Sequence, residues 1–259
     1  DLTGAIQTGN INTLLILGGN PVYNAPADID FGSLLSGVSN TVHLSGYVDE
    51  TSRSSDWHIP QSHFLESWGD TGSVDGTLSI IQPLIAPLFD SYTNIHVLNL
   101  LANNSQQNDY EVVRSTWRPV LGNANFEGDW RKVLHDGLHA GSSSPSRSPG
   151  MNNGSLSAAL SAHQFNGGAT TTQNLEIVFK ASSQTYDGRY ANNGWLQEFS
   201  DPVAKITWDN PVFIGPATAQ ELDLENNDMV SVSSGGRTLD MAVWIQPGQA
   251  DNTIVVSLG

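Results

Sequence analysis

The residues INTLLILGG at positions 11 to 19 constrain the fold more than any other stretch. A continuous apolar run of strand length, closed by Gly-Gly, has no polar face to offer water. It predicts a strand buried on both faces, as in a parallel sheet. Asn20-Pro21 turns the chain, Asp30 to Ser36 carries short helical spacing, and Thr41-Val42-His43-Leu44 reads as the next strand. Residues 11 to 44 therefore predict a strand–helix–strand unit with a right-handed crossover. Gly18-Gly19-Asn20 then falls beyond the carboxyl end of a strand, where open α/β sheets bind ligands. Neither G-x-G-x-x-G spacing nor a P-loop lysine is present, so the triplet reads as a tight turn ahead of a phosphate cradle.

From Asp49 to Asp75 the chain is polar and aromatic, and His58, His63 and Glu66 raise the question of a metal. Pro60 between the two histidines keeps them off one regular helical face, and H-E-x-x-H is absent, so structural histidines in a folded loop are expected. His135 and His139 have i,i+4 spacing with Asp136 beside them, which suits a shared helix face. Gly137 between them weakens that helix and no third ligand follows, so a solvated helix end is expected. Ser45 in LSGY and Ser67 in ESWG make no G-x-S-x-G elbow, and no catalytic residue is assigned.

Gly76 to Phe89 begins as a strand but is broken by Pro83 and Pro87, which exclude a central position in a sheet. Helical spacing follows over Ile95 to Leu101, over Glu111 to Leu121 with a cap at Asn108-Asp109, and over residues 126 to 139. GSSSPSRSPGMNNGS, from Gly141 to Ser155, reads as a flexible linker, with an Ala-rich spacer helix from Leu156 to His163. Short strand-like runs then recur at 175–179, 203–208, 229–233, 239–244 and 253–258, with one short helix over Pro216 to Leu222. This texture predicts an α/β portion over residues 1–140, a linker and spacer over 141–172, and a small β-barrel over 173–259. The last strand runs to the final residues, Leu258-Gly259, as expected of a portion of a longer polypeptide.

The formal charge of −16 would repel phosphates and argues against a nucleic-acid partner. The absence of Cys excludes thiolate ligands for an iron–sulfur cluster, a disulfide or a nucleophilic thiol on this chain. No apolar run has the length of a membrane span, so direct membrane insertion is not expected.

Tyr186 to Leu222 is long, irregular and rich in Trp, Asn and X-Pro steps, the profile of a functional segment. It also carries a family likeness. GGNP, DETS, DWHIP and ESWGD, followed in order by NNGWLQE, WDNPVFIGPATAQEL, NDMVSV and WIQPGQAD, resemble the later half of the molybdopterin oxidoreductase superfamily. The likeness covers residues 11 to 118 and 175 to 259. It implies a Rossmann-like parallel-sheet domain portion followed by a double-psi β-barrel that caps a bis-pterin guanine dinucleotide. LLILGGNPVYNAP, DWHIPQSHFLESWGD, YDGRYANNGWLQE and VWIQPGQAD most resemble the large iron–sulfur subunit of alternative complex III, a bacterial quinol:electron-acceptor oxidoreductase.

That resemblance implies a region without its own cofactor and with no catalytic centre or metal. The iron–sulfur clusters would lie in a separate Cys-rich region. The partners would be cytochrome c-type and integral membrane quinol-binding subunits, on the periplasmic outer face of the cytoplasmic membrane. One departure points the same way. Where active relatives show an acidic-Gly-Arg step, this chain has Asp75-Gly76-Thr77 and so lacks a bidentate guanidinium. In the alternative, an active molybdenum or tungsten enzyme, molybdopterin guanine dinucleotide would be met by Asn192, Asn193, Asp209 and Asn210, with Trp195 or Trp208 as walls. Otherwise those polar residues make local turns and the tryptophans belong to the core.

Overall fold

The computed structural model describes residues 1–26, 28–162 and 170–259, which divide into two compact units, Asp1–Pro149 and Gly150–Gly259. Position 163, the end of the expected spacer helix, lies outside the described residues; the helix itself spans Asn153–Ala162.

In the first unit, β1 (Thr13–Leu17), β2 (Asn40–Ser45) and β3 (Trp57–Pro60) form a parallel sheet in the order β1-β2-β3. Leu15 pairs with Val42 and Leu44 with Ile59. The strand–helix–strand unit is therefore present, with the helix Phe31–Leu35 capped by the Asp30 carboxylate at the Ser33 N–H (3.0 Å). The expectation that β1 is buried on both faces is corrected. It pairs on one side only and its apolar side chains are half-buried, whereas the central β2 holds the buried Thr41, His43, Leu44 and Ser45. Strand β3 escaped the sequence reading because Trp57-His58-Ile59-Pro60 is short and ends on a proline, which an edge strand tolerates.

A second core in the same unit forms where the helices Asp109–Leu121 and Phe126–Asp136 meet the two-stranded antiparallel sheet of β4 (Gly69–Gly72) and β5 (Leu78–Ile81). Tyr110, Val113, Trp117 and Leu121 line one stripe of the first helix and pack with Phe126, Trp130 and Val133 of the second. Both buried indoles satisfy their N–H: Trp117 donates to Asp70 Oδ2 (2.9 Å) and Trp130 to Tyr110 Oη (3.1 Å).

The second unit is a five-stranded mixed sheet of β6 (Glu176–Ala181), β7 (Val212–Ile214), β8 (Met229–Ser234), β9 (Arg237–Ile245) and β10 (Thr253–Leu258), in the order β6-β10-β7-β9-β8. β10 runs parallel to β6 and β7 parallel to β9, while the β10–β7 and β8–β9 pairs are antiparallel. Gly235 and Gly236, at φ 56° and 77°, make the two-residue turn between β8 and β9 that other residues adopt with strain. Ile254 and Val256 of β10, Met241 and Val243 of β9, and Val230 and Val232 of β8 alternate onto one apolar face together with β7.

The expected strand over 203–208 is absent, and β7, read from sequence only as part of a loop, is central. Asp201 Oδ1 accepts from the N–H groups of Val203 (2.8 Å) and Ala204 (2.7 Å), and Lys205 then takes φ 62°, so the segment turns instead of extending. The tryptophans read as core are also corrected, since Trp195 is 85% and Trp208 62% exposed. Accordingly, Trp130→Ala is expected to lower the unfolding free energy by about 3–5 kcal/mol in urea titrations. Trp195→Ala should change it by no more than about 0.5 kcal/mol in the same measurement.

Candidate functional site

Parallel strands place all their carboxyl ends on one edge, so the loops after β1, β2 and β3 converge there. Gly18 and Gly19 both have φ 74°, as a tight turn requires. Asn20, next in the chain, is held on both ends of its amide. Its Nδ2 donates to Glu50 Oε2 (2.7 Å), and its Oδ1 accepts from the Thr51 hydroxyl (2.8 Å) and the Thr51 N–H (3.2 Å). The Thr51 hydroxyl in turn accepts from the Val22 N–H (3.0 Å). Glu50 and Thr51 lie on the helix Glu50–Ser54, whose N-terminus is capped by Asp49 through the Ser52 N–H (2.9 Å). The DETS segment thus closes over the β1 turn, and the Glu50 carboxyl is held below its usual range, chiefly by the Asn20 hydrogen bond.

Beneath this helix sits a polar cluster that sequence reasoning missed. His43 is fully buried on β2, with Nε2 3.0 Å from the Gly19 carbonyl and Nδ1 2.9 Å from Ser52 Oγ. A carbonyl only accepts, so Nε2 carries the proton and, in the neutral ring, Nδ1 accepts from the Ser52 hydroxyl. His58 Nδ1 approaches the same Oγ at 3.0 Å, and Asp49 Oδ1 at 3.1 Å. This is not an acyl-transfer triad. Asp49 and Ser52 both address the Nδ1 side of His43, the other nitrogen is committed to backbone, and Ser52 is itself buried. Burial lowers the His43 pKa, outweighing the opposing effects of Asp49 and the Gly19 carbonyl.

The other histidine constellations are accounted for locally. His63 and Glu66 form a capping box on the 3-10 helix Phe64–Glu66: the Leu65 N–H donates to His63 Nδ1 (3.3 Å) and the His63 N–H to Glu66 Oε2 (3.0 Å). His135 and His139 do not share a helix face, because the helix ends at Asp136 with Gly137 at φ 75°. His135 Nδ1 contacts Asp136 Oδ1 (2.9 Å), and His139 lies edge-on to Trp117. Among the described residues no group of three or more His, Asp or Glu is placed to hold a metal ion.

Within the second unit, Tyr186 to Leu222 folds back on itself. Gln184 Nε2 bridges the carbonyls of Phe199 (2.7 Å) and Ile206 (3.0 Å), and the Trp208 N–H reaches the Gln197 carbonyl (3.0 Å). Tyr186, Lys205 and Trp208 take φ of 63°, 62° and 66°, a concentration of left-handed backbone at bulky residues. Asn193 caps the helix Gly194–Glu198 through the Leu196 N–H (3.3 Å). Asn210 Nδ2 donates to the carbonyls of Ser257 (2.9 Å) and Gly259 (3.3 Å). Asp209 and Asn210 line a polar pocket of about 40 Å³; Asn192 and Asn193 are not part of its wall. A larger cavity of about 480 Å³ lies against the apolar face of the sheet and contains none of the four residues.

The whole chain has the fold of part of a larger solved protein. It superposes on acetylene hydratase from Pelobacter acetylenicus with a TM-score of 0.71 at 14% identity, covering 99% of this chain and 38% of that one. The likeness is one of fold, over a chain that spans little more than a third of that protein's length. No protein-family model matches the chain, and none of the curated proteins does. Among the described residues, no helix is long and apolar enough to cross a membrane.

The buried His43 gives a pH signature. Because its folded pKa lies below the ordinary 6.5, the unfolded chain binds more protons once the pH drops under that value. Unfolding free energy should therefore fall as pH decreases below about 6.5, with a limiting slope of about 1.4 kcal/mol per pH unit for one proton. The depressed carboxyls of Glu50 and Asp56 act only lower, below their ordinary 4.5 and 3.8. Urea unfolding between pH 8 and 5 checks this, and His43→Asn should flatten the profile in that window.

Proposed function

We propose that this chain is a non-catalytic, molybdopterin oxidoreductase-like part of the iron–sulfur subunit of alternative complex III. In this role it supports quinol oxidation by holding a separate cluster-bearing region in place. Electron tunnelling depends on fixed distances, so the contribution is positional. The partners would be cytochrome c-type and integral membrane quinol-binding subunits, on the periplasmic face of the cytoplasmic membrane. The fold likeness and the collinear motifs support the superfamily part of this reading.

The observation that carries the cofactor-free part is the closed carboxyl edge of the parallel sheet. Asn20, the polar side chain best placed there to meet a ligand, has its amide engaged by Glu50 and Thr51 of the same chain. Asn193 is engaged through its Oδ1 by a helix N-terminus, and Asn210 through its Nδ2 by carbonyls at the end of the last strand. A bis-pterin dinucleotide would have to displace these bonds, so the described residues do not fit it as they stand.

A second reading, the dinucleotide-capping portion of an active molybdenum or tungsten bis-pterin enzyme, draws on Trp195 and Trp208. Both are exposed and lie close in sequence to the exposed Asn192 and Asp209. The structural neighbour is also named as an enzyme, a hydratase. Elemental analysis and pterin extraction of the intact purified complex separate the two: iron without stoichiometric molybdenum or tungsten is expected, and either metal with extractable pterin would establish the second. Under the first reading Trp195→Ala should impair assembly on size-exclusion chromatography and leave cluster potentials unchanged in redox titrations. Normal assembly with shifted potentials would count against it.

A further inference from the structure

The first unit presents an apolar loop that its own fold does not cover. Leu84, Leu88 and Phe89 are 77%, 70% and 79% exposed. Such a loop would collapse if it were free, yet it is pinned along its length. The N–H groups of Leu84 (2.7 Å) and Ile85 (3.2 Å) donate to the Leu65 carbonyl, and the Leu88 N–H donates to Glu66 Oε1 (3.1 Å). Tyr92 N–H reaches the Pro60 carbonyl (2.9 Å), and Pro83 and Pro87 restrict the backbone further. The conformational entropy of presenting these side chains is therefore lost on folding and not on binding, which favours association. Contiguous exposed apolar surface of this kind marks an interaction site.

The surroundings select the partner's charge. Residues 54–113 contain no Lys or Arg but include Asp56, Glu66, Asp70, Asp90, Asp109 and Glu111. Next to the loop a cleft of about 410 Å³ is lined by Glu66, Trp68, His96, Asp109 and Tyr110. Glu66 joins cleft to loop through its bond to Leu88, and the His96 ring lies tilted against Tyr92 with centroids 5.3 Å apart. Asp109 Oδ2 accepts from the Thr93 hydroxyl (2.6 Å), while its Oδ1 is buried without a hydrogen-bond donor among the described residues. Glu111 is paired with Arg114 (3.6 Å), but the cleft lining itself holds no Lys or Arg, and carboxylates beside aromatic rings there form a receptor for an ammonium or guanidinium group. An anionic lipid surface or a nucleic acid meets the wrong sign here.

We propose that this face docks a protein segment whose apolar side chains cover Leu84, Leu88 and Phe89 and whose Lys or Arg enters the cleft between Glu66 and Asp109. The site is independent of whether a pterin is bound elsewhere. The test uses a fluorescent synthetic peptide of alternating Leu and Lys, titrated into the purified full chain and followed by anisotropy. Binding is expected to weaken at least ten-fold in the double variant Leu88→Ser/Phe89→Ser and to weaken with added salt. It should be unaffected by Leu239→Ser, an exposed position on β9 of the other unit. Absence of binding, equal loss in both variants, no loss in the loop variant, or equal affinity for a Leu–Glu peptide would each overturn the proposal. So would loop-dependent binding of phosphatidylcholine/phosphatidylglycerol vesicles, which would assign the face to lipid. Loop-dependent self-association in sedimentation equilibrium would overturn it too, assigning the face to a second copy.

Discussion

The parallel pairing of β2 with strands on both sides is the constraint from which the first unit follows. Three parallel strands need crossover connections that return across a face of the sheet, and they collect every carboxyl end at one edge. The loops that gather there bring unpaired backbone and polar side chains into a partly buried place, where each needs a partner. Asn20, Glu50, Thr51, Ser52, His43 and His58 supply those partners to one another. The edge that commonly serves a ligand in this architecture is here closed by the chain's own hydrogen bonds.

That closure bears on function more than any single residue does. Displacing a satisfied buried amide costs its hydrogen bonds as well as its packing, so a ligand must replace both. The same logic runs through the second unit, where Asn193 and Asn210 serve a helix terminus and the last strand. The exposed Trp195 and Trp208 are different in kind, since most of each ring faces solvent. In the first unit Leu84, Leu88 and Phe89 are likewise displayed, on a loop whose backbone is held by hydrogen bonds to Leu65 and Glu66.

How much was legible varied with the range of the interaction concerned. The helix Asp109–Leu121 was read nearly to the residue because its cap, Asn108, and its stripe of Tyr110, Val113, Trp117 and Leu121 are local signals. β2 and the β8–β9 turn were legible for the same reason. The stretch from Val203 to Trp208 misled, since its apolar and β-branched residues suit a strand until the Asp201 carboxylate captures two backbone N–H groups. β7 was hidden because Val212 to Ile214 is only three residues long and is held by strand partners 31 and more residues away along the chain, such as Val243 and Ile254.

The sequence by itself determined the mixed α/β class, the parallel character of the first sheet, the exclusion of thiolate chemistry and the acidic charge. Each depends on residue type or short-range periodicity, which the chain carries before it folds. Only the tertiary structure decided that β1 is an edge, that His135 and His139 part company at Gly137, and that Asn20 is engaged by Glu50 and Thr51 some thirty residues on. Those outcomes turn on which distant groups meet across a sheet edge or a helix end, and no local pattern encodes such a meeting.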